Sequence, residues 1–341
     1  VKFAVGYQPM EEASFFDHVA SSIDHIAELY FPWPGMSTGR AAIGSVRGYG
    51  YYDIQSILEA DLRRFYQAGV SLDLLFNSNC YGEYALSEHL QNQVGSIIEH
   101  LCEKVAPIDT VTTTSPAVAF VVKKHFPDIK TRASVNMRIG TVKGMKYLAH
   151  MFDEYLVQRD YNRDLEHLAK LKVWADENGK KLQILANSGC MRFCSAQTFH
   201  DNLVAHGEAI DEIRRMEDFS AHTCWNYLAD PQNWVSILQN TWIRPEDLHH
   251  YEHLFPVVKL ATRMHPFPSL IIQAYINRSW RHNLLDLMEP GFSGAVYPHI
   301  MDNTRFPDGW FEQTSRCNKN CDQCAYCSEV LKQVLTKLEI E

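Results

Sequence analysis

The sequence lacks any run of roughly eighteen apolar residues, the length a membrane-spanning helix needs, so no membrane span is expected. It also lacks a basic segment leading into an apolar stretch at its start, where Val1 opens directly into a strand-like run; a cytoplasmic chain is the expectation. Positive charge is in deficit: 32 Lys and Arg against 41 Asp and Glu leave a net charge of −9. That balance argues against indiscriminate binding to nucleic acid or anionic membranes, although it leaves room for a local basic groove. Low-complexity segments and solenoid repeats are absent, as are the P-loop, G-x-G-x-x-G, H-E-x-x-H and G-x-S-x-G patterns. What the chain does have is a hydrophobic share of 46% over 341 residues, ample for a large core. It also has nine cysteines, and an odd count in a long chain without a secretion signal points to reduced thiols, some binding metal, rather than a disulfide framework.

Short apolar or β-branched runs recur, each followed by a polar corner and then a helical pattern. The runs are Lys2–Val5, Glu28–Phe31, Leu72–Phe76, Ile108–Thr113, Lys130–Val135, Glu154–Val157, Leu182–Leu185 and Val257–Leu260. Between them, apolar residues fall at helical spacing, as in Ile54/Ile57/Leu58/Leu62/Phe65, Leu90/Val94/Ile97/Ile98/Leu101 and Leu165/Leu168/Leu171/Trp174. Eight strands alternating with helices predict an α/β chain folded as a (β/α)8 TIM-type barrel. Residues 1–288 form the barrel, with a cysteine-bearing insertion at 190–255 after the seventh strand. Residues 289–341 form a cysteine-rich C-terminal extension.

In a barrel, functional groups gather where strands end. That position holds Tyr7 and Gln8, Asn77, Asn79 and Cys80, Thr114 and Ser115, Asn136 and Arg138, Arg159 and Asp160, Asn187 and Cys190, then Arg263 and His265. Asn, Ser and Thr are also ordinary turn residues, but three arginines and two cysteines at equivalent corners predict a substrate cup. Arg138, Arg159 and Arg263 suit a carboxylate, whose geometry the guanidinium fork matches. Asn77, Asn136, Asn187 and His265 would line the cup, and Asp160 or His200 would move a proton.

The cysteines sort into two groups. Cys317, Cys321, Cys324 and Cys327 lie within the eleven residues CNKNCDQCAYC, a metal-binding spacing; its compactness favours a [4Fe–4S] cluster, with zinc as the competitor. Cys190 and Cys194 in NSGCMRFCSAQTFH, with Cys224 in the same excursion, make a second set, and Cys80 on the same predicted face completes four ligands. One or two clusters are therefore expected. Cys102, on an apolar helical stripe, reads as a buried small hydrophobe. His249, His250 and His253 read as surface residues of a helix opened by Pro245. The segment MSTGRAAIGSVRGYGYY, with Arg40, Arg47, Tyr49, Tyr51 and Tyr52, reads as a lid over the mouth more than as a base-stacking platform, so RNA is not the favoured partner.

The stretch VQRDYNRDLEHLAKLKVWADENGKKLQILANSGCMRFCSAQTFH resembles the core of the collagenase-like peptidase family U-32, and IRPEDLHHYEHLFPVVKLATR is similar to its next landmark. The resemblance runs from about Phe152 to Met288, with weaker agreement in the N-terminal half. It implies a (β/α)8-type barrel. The better-understood members it implies are oxygen-independent hydroxylation factors, some acting on RNA and others carrying a [4Fe–4S] cluster on four cysteines; Cys190, Cys194 and Cys224 fall where such ligands would be. The spacing of Cys190 and Cys194 departs from the motif of the peptidase-named members, and the tail quartet is an addition to the pattern. The leading expectation is thus an iron–sulfur barrel enzyme performing redox or hydroxylation-type chemistry on a small anionic or aromatic substrate or a nucleobase. The alternatives are a peptidase, with Cys190 or Ser188 as nucleophile and His200 as base, and a non-enzymatic iron–sulfur or zinc protein that relays electrons to a partner or serves as a scaffold.

Overall fold

The computed structural model describes residues 1–10, 14–40, 43, 51–214 and 216–339. Eight parallel strands close into one barrel in chain order: β1 (Lys2–Gly6), β2 (Ile26–Pro32), β3 (Ser71–Phe76), β4 (Thr110–Thr113), β5 (Lys130–Ala133), β6 (Glu154–Leu156), β7 (Lys181–Leu185) and β8 (Val257–Lys259). Closure is made by β1 pairing with β8, Phe3 opposite Val258. All eight apolar runs are strands, which is the (β/α)8 fold expected of them. Among the described residues no helix is long and apolar enough to cross a membrane.

The helices follow from the patterns that predicted them. Glu88–Lys104 buries Leu90, Val94, Ile97, Ile98 and Leu101 against the barrel and is capped by Ser87, whose hydroxyl accepts from the Leu90 N–H at 3.1 Å. Leu165–Glu177 buries Leu168, Leu171, Trp174 and Ala175 behind an Asp164 cap. Cys102 corrects the expectation made for it: it is exposed. It lies one step of about 100° past Leu101, at the edge of the stripe rather than on it. The turn opened by Pro245 is a short 3-10 helix, Pro245–His250, with His249 exposed and His250 stacked on Phe311.

The barrel interior is not filled by the usual aliphatic layers. Arg132 on β5 donates to both carboxylate oxygens of Glu28 on β2 at 2.6 Å, to Asp73 on β3 at 3.1 Å and to Glu154 on β6 at 2.6 Å. Lys259 on β8 sits 3.6 Å from the centroid of the Tyr30 ring, in the same layer. Burial pushes the Asp73 carboxyl up to about 7, and pushes the Lys259 ammonium down to about 8. Nothing in the strand runs announced this charged plug. Lone polar residues inside an apolar run look like outward-facing positions until the barrel closes.

The C-terminal region adds no strand to the barrel but packs on it. His299–Met301 and Leu335–Lys337 pair as a small antiparallel ribbon. Trp310, Phe311, Val330 and Val334 join the barrel's own core, with Trp310 stacked at 5.9 Å on Trp242 of the post-β7 excursion.

Candidate active site at the barrel mouth

The loop after β7 is anchored before it reaches its first thiol. The Asn187 side chain donates to the carbonyls of Ala261 and Leu287 and accepts from the Ala261 N–H at 2.6 Å. Its amide is fully used, so the structure assigns it to tying β7, β8 and the C-terminal region together rather than to substrate. Ser188 then bridges to Glu289, and the Gly189 N–H donates to the Glu289 carbonyl at 3.0 Å. This contact requires glycine: a Cβ at position 189 would overlap the Pro290 carbonyl oxygen. Gly189→Ala is therefore expected to cost about 1–3 kcal/mol, as overpacking against fixed backbone does. Urea unfolding checks it, and an unchanged midpoint would contradict the tight apposition.

Beyond this anchor the mouth opens into a cleft of about 830 Å³. Cys190, Cys224, His200, His222, Arg40 and Glu289 line it together with apolar residues that include Phe267 and Trp280. Arg40 donates through Nε to Glu289 at 3.0 Å, and the second Glu289 oxygen accepts from the Met264 N–H at 3.3 Å. Burial opposes the Arg40 charge, but Glu289 and Cys190 outweigh it and hold the guanidinium charged. The His200 and His222 rings meet edge to face at 5.5 Å. Burial holds the His200 imidazole below its ordinary value, and the charges of Arg40 and His222 add to the effect. His200 is thus a neutral base near pH 7.

Cys190 and Cys194 both lie within electrostatic reach of Cys224: burial raises the Cys224 thiol, and Cys190 and Cys194 raise it further. Cys224 also faces a second cavity of about 390 Å³, lined by Arg192, Cys194, Lys319 and Cys321. One thiol of the tail quartet therefore shares a pocket with two thiols of the excursion. Cys80 lines neither cavity; the contact at its thiol is the Gly82 N–H of its own loop, at 3.4 Å. Ser188 is fully buried and its hydroxyl has no partner. All nine cysteines are free, and among the described residues no group of three or more His, Cys, Asp or Glu side chains is arranged as a ready-made metal site. The donor chemistry of the thiol sets fits a soft metal or an iron–sulfur cluster.

The other candidates occupy the mouth in supporting positions. Asp160 is buried and accepts from the Phe193 N–H at 2.6 Å, while its carbonyl accepts from Arg192, so it holds the cysteine loop in place. Arg159 is buried beside it at 4% exposure. Arg138 reaches the Thr198 hydroxyl at 2.9 Å and lies 3.6 Å from Asp201, on the helix that carries His200. Asn77 accepts from the Gly39 N–H at 3.1 Å, and a Cβ on Gly39 would fall 2.5 Å from the Asn136 amide, so both amides grip the start of the proposed lid. Arg263 is buried, donates to the Thr38 hydroxyl at 3.2 Å, and is pushed down to about 10 by burial. His265 bonds the Asp286 carbonyl at 2.6 Å and lines the cleft. Arg47 and Tyr49 of the lid lie outside the described residues. Sequence reasoning missed His222, two residues before Cys224, and the Arg40–Glu289 pair, whose partners are separated by almost the whole barrel.

No family model matches the chain. In sequence it is similar to a protein of Methanocaldococcus jannaschii named as an uncharacterized protease, 27% identical over 274 residues, which are 78% of this chain and 77% of the relative. In fold it is similar to the solved structure of a U32 peptidase, with a TM-score of 0.54 at 14% identity, over 76% of this chain and 92% of that one. The structural likeness, at 14% identity, shows the barrel fold that the strand runs predicted.

Proposed function

We propose that this chain is a thiol-dependent peptide hydrolase working in the mouth cleft. The observation that carries the reading is that Cys190 and His200 line one cleft, with the imidazole kept neutral and the charged Arg40 beside the thiol. Cys190 Sγ would attack the scissile carbonyl carbon after passing its proton to His200. The imidazolium would then return that proton to the leaving amine, and water would hydrolyse the thioester. Burial removes Ser188 from contention as nucleophile. The names of the two similar proteins, a protease and a U32 peptidase, back hydrolysis better than redox chemistry.

His200 supplies a pH prediction. Because its folded value is depressed, the neutral base persists below the ordinary 6.5, and the acid limb of kcat/KM is expected below that pH. A limb at or above 6.5 would contradict His200 as the base.

The meeting of Cys224 with Cys190 and Cys194 favours a second reading, which a cysteine hydrolase does not require: the three thiols, completed by a fourth donor, would hold a [4Fe–4S] cluster, and the chain would hydroxylate a small substrate with water as the oxygen source and an external two-electron acceptor as the oxidant. The cluster would supply single-electron or Lewis-acid chemistry; the residues of the cleft would bind and orient the substrate. Incubation with gelatin and casein in water labelled with heavy oxygen separates the two. Hydrolysis leaves new C-termini carrying the label. Chains left intact and unlabelled, together with about four irons held by Cys190, Cys194 and Cys224, would replace the first reading with the second.

A further inference from the structure

We infer that Cys317, Cys321, Cys324 and Cys327 form a tetrathiolate metal centre seated against the barrel mouth and neutralised by two arginines, Arg163 behind β6 and Arg192 of the loop after β7. Three observations beyond the spacing carry this. The first is the local fold of the segment: Lys319 adopts φ 64°, and its N–H donates to the Cys317 sulfur at 3.2 Å. That left-handed turn aims a backbone amide at the Cys317 sulfur, the kind of supporting hydrogen bond that orients a metal ligand. The second is anchorage. Lys319 Nζ meets Asp164 at 2.8 Å, and Tyr326, the residue before Cys327, stacks on Trp310 at 6.0 Å. The segment is thus tied to the barrel at one end and, through Trp310, to the C-terminal region packed on the barrel at the other.

The third observation is the charge beneath it. Arg163 is 4% exposed, lies 4.1 Å over the Trp242 ring and 5.2 Å from the Trp310 ring, and among the described residues donates to the carbonyls of Trp242 and Leu238 alone. Its third nitrogen, Nη2, is buried without a partner. Cys327 lies within electrostatic reach of this guanidinium, and Cys317 and Cys321 within reach of Arg192. Arg192 itself donates to a backbone carbonyl, at 2.6 Å, rather than to a carboxylate. Buried cations are ordinarily paired. Four thiolates around one divalent metal, or around an oxidised [4Fe–4S] core, carry a net charge of −2, which these two arginines match. Cys321 and Cys324 are exposed and so are free to turn inward when the metal closes the set.

The test is independent of hydrolase activity. The full chain is purified without oxygen and reconstituted in separate arms with Zn²⁺ alone or with ferrous iron and sulfide. Metal content and thiols protected from iodoacetamide are then measured. The wild type is expected to bind one zinc, or about four irons, at the tail and to protect all four tail thiols. The exposed double variant C321S/C324S is expected to lose that metal and that protection while Cys190, Cys194 and Cys224 react as before. Arg192→Gln is expected to weaken metal retention against a chelator by about tenfold or more, as loss of a supporting group does. Equal metal content in C321S/C324S and wild type would overturn the inference. So would metal lost only in C224S, or a wild-type tail left unprotected in both arms.

Discussion

Arg132→Met is expected to remove about 3–5 kcal/mol of folding stability, the cost of breaking a buried ion network by deleting one partner. Three carboxylates, from Glu28, Asp73 and Glu154, point at this guanidinium from three other strands, and its side chain is only 2% exposed. Without it, Lys259 would be the remaining buried cation of the layer, and burial already pushes it down to about 8. The deficit has a defined pH dependence. A buried carboxyl whose folded pKa is raised loses stability as pH climbs from its unfolded value to its folded one. Asp73 already does so between its ordinary 3.8 and about 7. In the variant the carboxyls left without their cation would behave this way, so the loss should shrink as pH falls toward the ordinary carboxylate range and vanish only below it, where they are neutral in both states. Urea unfolding at pH 7.5 and pH 4.5 measures both values. A loss that stays below about 0.5 kcal/mol at pH 7.5 would mean that the network contributes no net stability.

The second large effect concerns activity. Cys190→Ala and His200→Ala should each reduce kcat/KM for gelatin-derived peptides by about 10²–10⁴, the range expected for loss of a nucleophile or its base. Cys194→Ala and Cys224→Ala should retain most activity, because they line the neighbouring wall and do not take part in the proposed attack. The pattern discriminates. If the three thiols serve as ligands of one cluster, Cys190, Cys194 and Cys224 would fail together, and iron content would fall with them. Equal loss at all three positions would therefore select the metal reading over hydrolysis.

The barrel was legible because each strand is a short apolar run bounded by a polar corner, and because the stripe Leu90/Val94/Ile97/Ile98/Leu101 has one buried face. Chain order then suffices, since sequential parallel strands close into a barrel without a crossover to guess. The mouth thiols were legible for the same reason: Cys190 stands just past β7, and Cys224 within the only long excursion between strands. The pairings made by folding were not. Glu289 follows the last strand by almost thirty residues, yet it meets Arg40 from the loop after β2. Cys80 has the right corner but turns its sulfur to its own loop. Asn187 stands at a catalytic-looking corner and is consumed by three backbone bonds. Arg132 and its partners are read as outward-facing residues in any linear pattern; only closure turns them inward onto one another. Which polar groups are free to act depends on what each has already bonded, and that is set by contacts across the fold.

The account rests on Cys190 as the reacting group, and stoichiometric labelling tests it most directly. The chain would be treated with limiting iodoacetamide, the alkylated cysteines mapped by mass spectrometry, and peptide cleavage measured at each step. The account predicts that cleavage falls in proportion to modification of Cys190 and reaches zero when that one thiol is fully alkylated. Cleavage that survives complete alkylation of Cys190 would contradict it.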